Sequence, residues 1–192
     1  MFDVDEYHRL GEAGILGEND RVELIEGQLV ELAPITGEHA TVVSALLMIL
    51  ARQCDSSQLV HVQNPLRLDR TSEPQPDLVL ARLIRGSRDV PSFKDALLVI
   101  EVADSTYNYD RKIKAPLYAR AGVPELWIVD CQNRRVEVHA DPKDDVYENV
   151  TNSAIRSLSC RGWPGISRCG WPIFGFSRER RSATKAASRQ YA

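Results

Sequence analysis

ALLVIEVADSTYNYDRKIKAPLYARAGVPELWIVD, residues 96–130, is the stretch that decides the fold. Its first seven residues are apolar apart from Glu101, the pattern of a strand buried in the middle of a sheet. A turn-rich connection follows over Asp104–Tyr109. From Asp110 to Ala121 the basic and apolar residues fall on different faces, which predicts a helix, and Gly122 supplies its stop. PELWIV, Pro124–Val129, reads as the next strand, with Arg135–His139 able to pair beside it.

Working outward towards the N-terminus, DLVLAR (Asp77–Arg82) is a short strand between a polar, proline-bearing loop (Thr71–Pro76) and a charged loop (Arg85–Asp95). Gln58–Leu68 is a further strand, and Pro65 within it marks an edge or a bulge. EHATVVSALLMILARQC, from Glu38, is an apolar-periodic helix that Thr36 or Gly37 can cap and whose dipole Glu38 suits. RVELIEG and QLVEL, Arg21–Leu32, form a hairpin turning at Glu26-Gly27. Residues 1–20 give a short helix and a turn with Gly11, Gly14 and Gly17. Helix, three strands, helix and strand in this order make an α/β layered fold with a mixed sheet and an N-terminal β-hairpin.

With 192 residues and 43% hydrophobic content, the chain suits one globular domain, placed at residues 1–152. Residues 153–192 hold two Gly-Trp-Pro triplets, an Arg-rich cluster and no periodicity, which predicts a poorly ordered tail. The net charge of −3 provides no basic field to advertise nucleic-acid binding, although a site that collects cations is itself acidic when empty. Cys54, Cys131, Cys160 and Cys169 form no CxxC pair, so zinc is not expected. No apolar stretch is long enough for a membrane span and the N-terminus lacks the pattern of a secretory signal. A cytoplasmic protein with reduced thiols is expected.

Two acids carry the sharpest chemical signal. Asp77 opens a strand directly after Pro76, and Glu101 stands among Leu98, Val99, Ile100 and Val102. A carboxylate in such company is costly to desolvate unless it is compensated, and a hard cation such as Mg²⁺ prefers carboxylate oxygens. The plainer reading puts Glu101 at a sheet edge facing solvent. Lys114 lies one turn after Asp110 and one turn before Tyr118, so the three can share a face. It suits stabilisation of a phosphate under attack, or simply a surface pair with Asp110. His39, at a helix start, can polarise water or touch phosphate, or serve as an ordinary helix-end residue. Glu23 can reach a metal, though its alternation with Val22 and Leu24 favours a solvent-facing acid. Gln63 can orient water or phosphate, or make a cross-strand hydrogen bond. No phosphate-binding GxxxxGK[ST], HExxH or GxSxG motif occurs.

RVELIEGQLVEL, GEHATVV, VQNPLRL, SEPQPDLVL, LLVIEVADST and DRKIKAPLYARAGVPELWIVD together resemble the Uma-two family, over about residues 5–150. That family looks like a branch of the PD-(D/E)XK, restriction-endonuclease-like superfamily. The resemblance implies an αβββαβ core and Mg²⁺-dependent hydrolysis of phosphodiester bonds in DNA, with Mn²⁺ as a substitute ion. It places the metal-binding acids on Asp77 and Glu101, aided by the main-chain carbonyl of Val102. The superfamily lysine would fall on position 103, which is Ala103 here; Lys114, on the next helix, matches the displaced lysine instead. Arg67, Arg70 and Arg111 are the expected phosphate contacts. A homodimer is compatible with cutting two strands. The rival readings are a nuclease-fold module that binds or regulates without cleaving, and an interaction protein that dimerises through apolar surfaces.

Overall fold

The computed structural model describes residues 1–17, 19–84 and 91–154. Strand β5 (Ala96–Ala103) lies inside a six-stranded sheet of order β3-β4-β5-β6-β7-β8. It pairs antiparallel with β4 (Leu78–Arg82) and parallel with β6 (Glu125–Asp130), so the sheet is mixed. One edge strand is β3 (Gln58–Val62); on the other side β7 (Arg135–Lys143) and β8 (Val146–Ala154) extend the sheet as an antiparallel pair.

The apolarity of β5 follows from cover on both faces. Leu98, Ile100 and Val102 pack with Val42, Val43, Leu46 and Leu50 of helix α2 (Gly37–Gln53). Val99 and Ala103 pack in a second cluster with Leu117, Tyr118 and Ala119 of helix α4 (Ala115–Arg120). Each fully buried Leu, Ile or Val contributes about 1.5–3 kcal/mol to this two-sided core. Glu101 has the parity of Val99 and Ala103, so it enters the face covered by α4.

Several local devices aim elements at one end of the sheet. Helix α1 (Val4–Glu12) begins with a reciprocal capping box between Asp3 and Glu6. Strands β1 (Val22–Ile25) and β2 (Gln28–Glu31) turn through Glu26 and Gly27, both left-handed at φ 47° and 75°, as a two-residue hairpin requires. A bridge from Leu24 to Glu73 docks this hairpin on the loop before β4. Thr36 caps α2 by accepting from the His39 N–H at 3.2 Å, and its hydroxyl donates to Asp104 at 2.8 Å, tying α2 to the end of β5.

The expected helix at Asp110–Ala121 begins earlier and is irregular. A short α3 (Tyr107–Tyr109) leads into a π-turn over Asp110–Lys114 and then into α4. It ends at Gly122, with φ 77°. The strand expected to reach Leu68 stops at Val62, because Gln63 adopts φ 50° and leaves the ladder. Of the charged loop Arg85–Asp95 only residues 91–95 are described, and of the expected tail only Ser153 and Ala154, both in β8. Among the described residues no helix is long and apolar enough to cross a membrane.

Candidate active site

One cavity of about 210 Å³ opens where the hairpin, the start of α2, the ends of β4 and β5, and the π-turn meet. Asp77, Glu101, Lys114, Glu23, His39, Gln63 and Val102 all line it. The elements that bring them together are far apart in sequence, and each residue has a local reason to be there.

Asp77 stands just before β4. The register continues from Leu78 opposite Ile100, so Asp77 comes opposite Glu101. Its carboxylate is held on several sides. Oδ2 accepts from the Val102 N–H at 2.8 Å; Oδ1 accepts from the Gln63 side chain at 3.2 Å and lies 3.0 Å from His39 Nε2. The left-handed backbone at Gln63 makes this possible, since the Gln63 N–H also donates to the Asp77 carbonyl at 3.0 Å. The bond to Asp77 raises the pKa of His39, with burial opposing it, which favours the imidazolium beside the carboxylate.

Glu101 is only 3% exposed, and its Oε1 accepts from Tyr118 OH at 2.6 Å and from Lys114 Nζ at 3.2 Å. Burial pushes its pKa well up, against the pull of Lys114. Lys114 reaches a second acid, Glu23 Oε2, at 3.0 Å. Burial works against the ammonium charge, but Glu101, Glu23 and Asp110 around it outweigh burial and hold its pKa above the usual value. Lys114 is therefore a buried cation shared between two buried acids, and the surface pair with Asp110 is excluded. Asp110 is itself buried, accepts from Thr106 Oγ1 at 2.7 Å, and is raised to about 6, chiefly by burial.

Glu23 overturns the solvent-facing expectation. It is fully buried because the docked hairpin turns it inward; Oε2 takes Lys114 and the Gln75 N–H, while the buried Oε1 has no partner. The three arginines expected to meet phosphate lie outside the cavity lining. Arg111 is drawn to Glu137 at 3.0 Å and Arg67 lies 3.7 Å from Asp5. Arg21 lines the cavity instead, with Nη1 donating to the Ala33 carbonyl at 2.5 Å.

Asp110, Tyr109, Gln75 and Arg21 joined the site without being singled out as candidates. The i, i+4 spacing of Asp110, Lys114 and Tyr118 was the available signal for the first. Tyr109 carried none, because its approach depends on the π-turn.

The family model described as "Putative restriction endonuclease" matches residues 4–169. The chain belongs to this Uma2 family. None of the curated proteins compared with it matches. Among solved structures, this Uma2 chain is similar to one described as a putative nuclease belonging to DUF820 from Anabaena variabilis ATCC 29413. The two share 14% identity and a TM-score of 0.66 over 83% of this chain and 88% of the other. At that identity the likeness establishes the Uma2 fold as that of a nuclease-like neighbour, while any chemistry has to come from the residues.

The donors on this cavity are of the kind that a hard divalent ion takes. Among the described residues no three His, Cys, Asp or Glu side chains form a ready-made metal cluster. Mg²⁺, however, is commonly held by one or two carboxylates, with water and substrate phosphate completing the set. Asp77 and Glu101 supply two carboxylates on one cavity, and the Val102 carbonyl is on the same strand edge as the N–H that meets Asp77. The partnerless oxygen of Glu23 adds a buried negative site that no protein group satisfies.

Proposed function

We propose that this chain is a metal-dependent endonuclease that hydrolyses phosphodiester bonds of DNA. The observation that carries the reading is the convergence of Asp77, Glu101 and the buried ammonium of Lys114 on one cavity. Family membership supports it, since the matching family model carries the description "Putative restriction endonuclease".

In this reading Asp77, Glu101 and the Val102 carbonyl hold Mg²⁺, or Mn²⁺ in its place. When bound, such an ion supplies positive charge at the phosphate and lowers the pKa of water. The remaining work belongs to the protein. Gln63, His39 and the Val102 N–H fix the Asp77 carboxylate so that it does not have to be oriented during the reaction. Tyr118 and Lys114 do the same for Glu101. Lys114 places a permanent positive charge beside the reacting phosphate, where a low-dielectric cavity makes it effective. It steadies rather than abstracts protons, because the acids around it keep it charged. Arg21, at the rim, is the phosphate contact that replaces Arg67, Arg70 and Arg111.

The test is cleavage of supercoiled, linear and single-stranded DNA with Mg²⁺, Mn²⁺ or chelator. Wild-type protein should cut only with the ion present, and Asp77→Ala and Glu101→Ala should not cut while keeping the native circular dichroism spectrum. Ion-dependent cleavage that survives in both variants contradicts the reading and favours a module that binds without cutting.

A further inference from the structure

Tyr109 lines the cavity, and its hydroxyl oxygen is buried without a hydrogen-bond partner. Native proteins seldom bury a polar group that no protein group meets unless water or a ligand serves it.

The π-turn explains how the ring arrives. In a regular α-helix, positions five apart lie on different faces. Widening the turn to i→i+5 over Asp110–Lys114 brings Tyr109 towards the side that carries Lys114. Wide turns of this kind recur at functional sites. Here the turn places Tyr109, Asp110 and Lys114 on one cavity.

An incoming phosphodiester is an anion, and it needs donors. Most donors on this cavity are committed to the protein's own acids. Lys114 serves Glu23 and Glu101, Gln63 serves Asp77, and Thr106 and Thr36 serve Asp110 and Asp104. Among the described residues that line the cavity, two buried groups on the donor side have no protein partner, His39 Nδ1 and the Tyr109 hydroxyl. The first donates in the imidazolium form that Asp77 favours; the second keeps its proton whatever the state of His39, because burial and the nearby Glu23 raise its pKa to about 12.

We infer that Tyr109 is a catalytic residue whose hydroxyl donates a hydrogen bond to a non-bridging oxygen of the substrate phosphate. This rests on the nuclease reading and extends it to a residue whose hydroxyl makes no hydrogen bond to the proposed metal ligands. The consequence is a separation of stability from function. Removing a hydroxyl that bonds no other protein group costs the fold no protein hydrogen bond, whereas removing one that holds the fold together does.

The experiment compares wild type with Tyr109→Phe in three readouts. The expected results are an unchanged or raised melting temperature, a fall in kcat of about 100-fold with a smaller change in KM, and weaker calorimetric binding of the dinucleotide pTpT with Ca²⁺ present. Wild-type kcat in the variant overturns the inference and leaves the nuclease reading in place. So does a melting temperature that falls in step with activity. If wild-type protein cuts no substrate under any cation, the nuclease reading fails by itself. The pTpT titration then decides: weaker binding by the variant upholds the hydroxyl as a phosphate contact, and equal affinity overturns it.

Discussion

Replacing Lys114 with methionine keeps most of the side-chain volume and removes the charge, and its cost can be worked out from the surroundings. The ammonium sits 3.0 Å from Glu23 and 3.2 Å from Glu101, with side-chain exposures of 4%, 0% and 5% respectively. Removing one member of a buried ion pair leaves its partner desolvated and uncompensated, which costs about 3–5 kcal/mol. That is a large part of a domain stability of about 5–15 kcal/mol. The loss should shrink as pH falls, because a protonated carboxyl no longer requires a cation. Glu101 reaches that state before an exposed glutamate would, since burial raises its pKa. Urea unfolding at pH 7.5 and pH 5, without divalent ions, measures both effects. Adding Glu23→Gln to Lys114→Met should recover part of the loss, as expected for neighbours that share one charge. A cost below about 1 kcal/mol at pH 7.5 refutes the reasoning, because that is the value of an exposed pair.

Asp110→Asn should raise stability at pH 8 and change little at pH 4. The folded pKa of about 6 lies above the ordinary 3.8, so the folded state holds the extra proton and stability falls as pH rises between those values. The difference of about two units corresponds to at most about 3 kcal/mol; an Asn variant less stable than wild type at pH 8 contradicts it. Thr36→Ala should cost about 0.5–2 kcal/mol in thermal or urea unfolding, through loss of the α2 cap and the bond to Asp104; no change means that solvent replaces both bonds.

The order of elements was readable in the sequence because the signals were local and strong. β5 announced its central place through apolar residues at both parities, and the hairpin through Glu26-Gly27 between two alternating runs. The π-turn was not readable, since DRKIK has the composition of an ordinary helix. β8 was also missed: YENVTNSA is mostly exposed on an edge and carries little apolar pattern. At the site, Asp77 and Glu101 stood out because one follows a proline and the other interrupts an apolar strand. Glu23 misled, because alternation within its strand reports on the hairpin alone, and the docking through Leu24 and Glu73 that buries it lies about 50 residues away in sequence. The arginines misled for a related reason. Positive charge in the sequence does not reveal which acid will claim it, and Glu137 claims Arg111.

Isothermal titration of Mg²⁺ into the chelator-treated protein is the most direct measurement. Two acids from neighbouring strands that share an ion give saturable binding in wild type, and Asp77→Asn and Glu101→Gln each abolish the heat without unfolding the chain. Titration curves for both variants that overlay the wild-type curve contradict the shared site, and with it the chemistry assigned to this cavity.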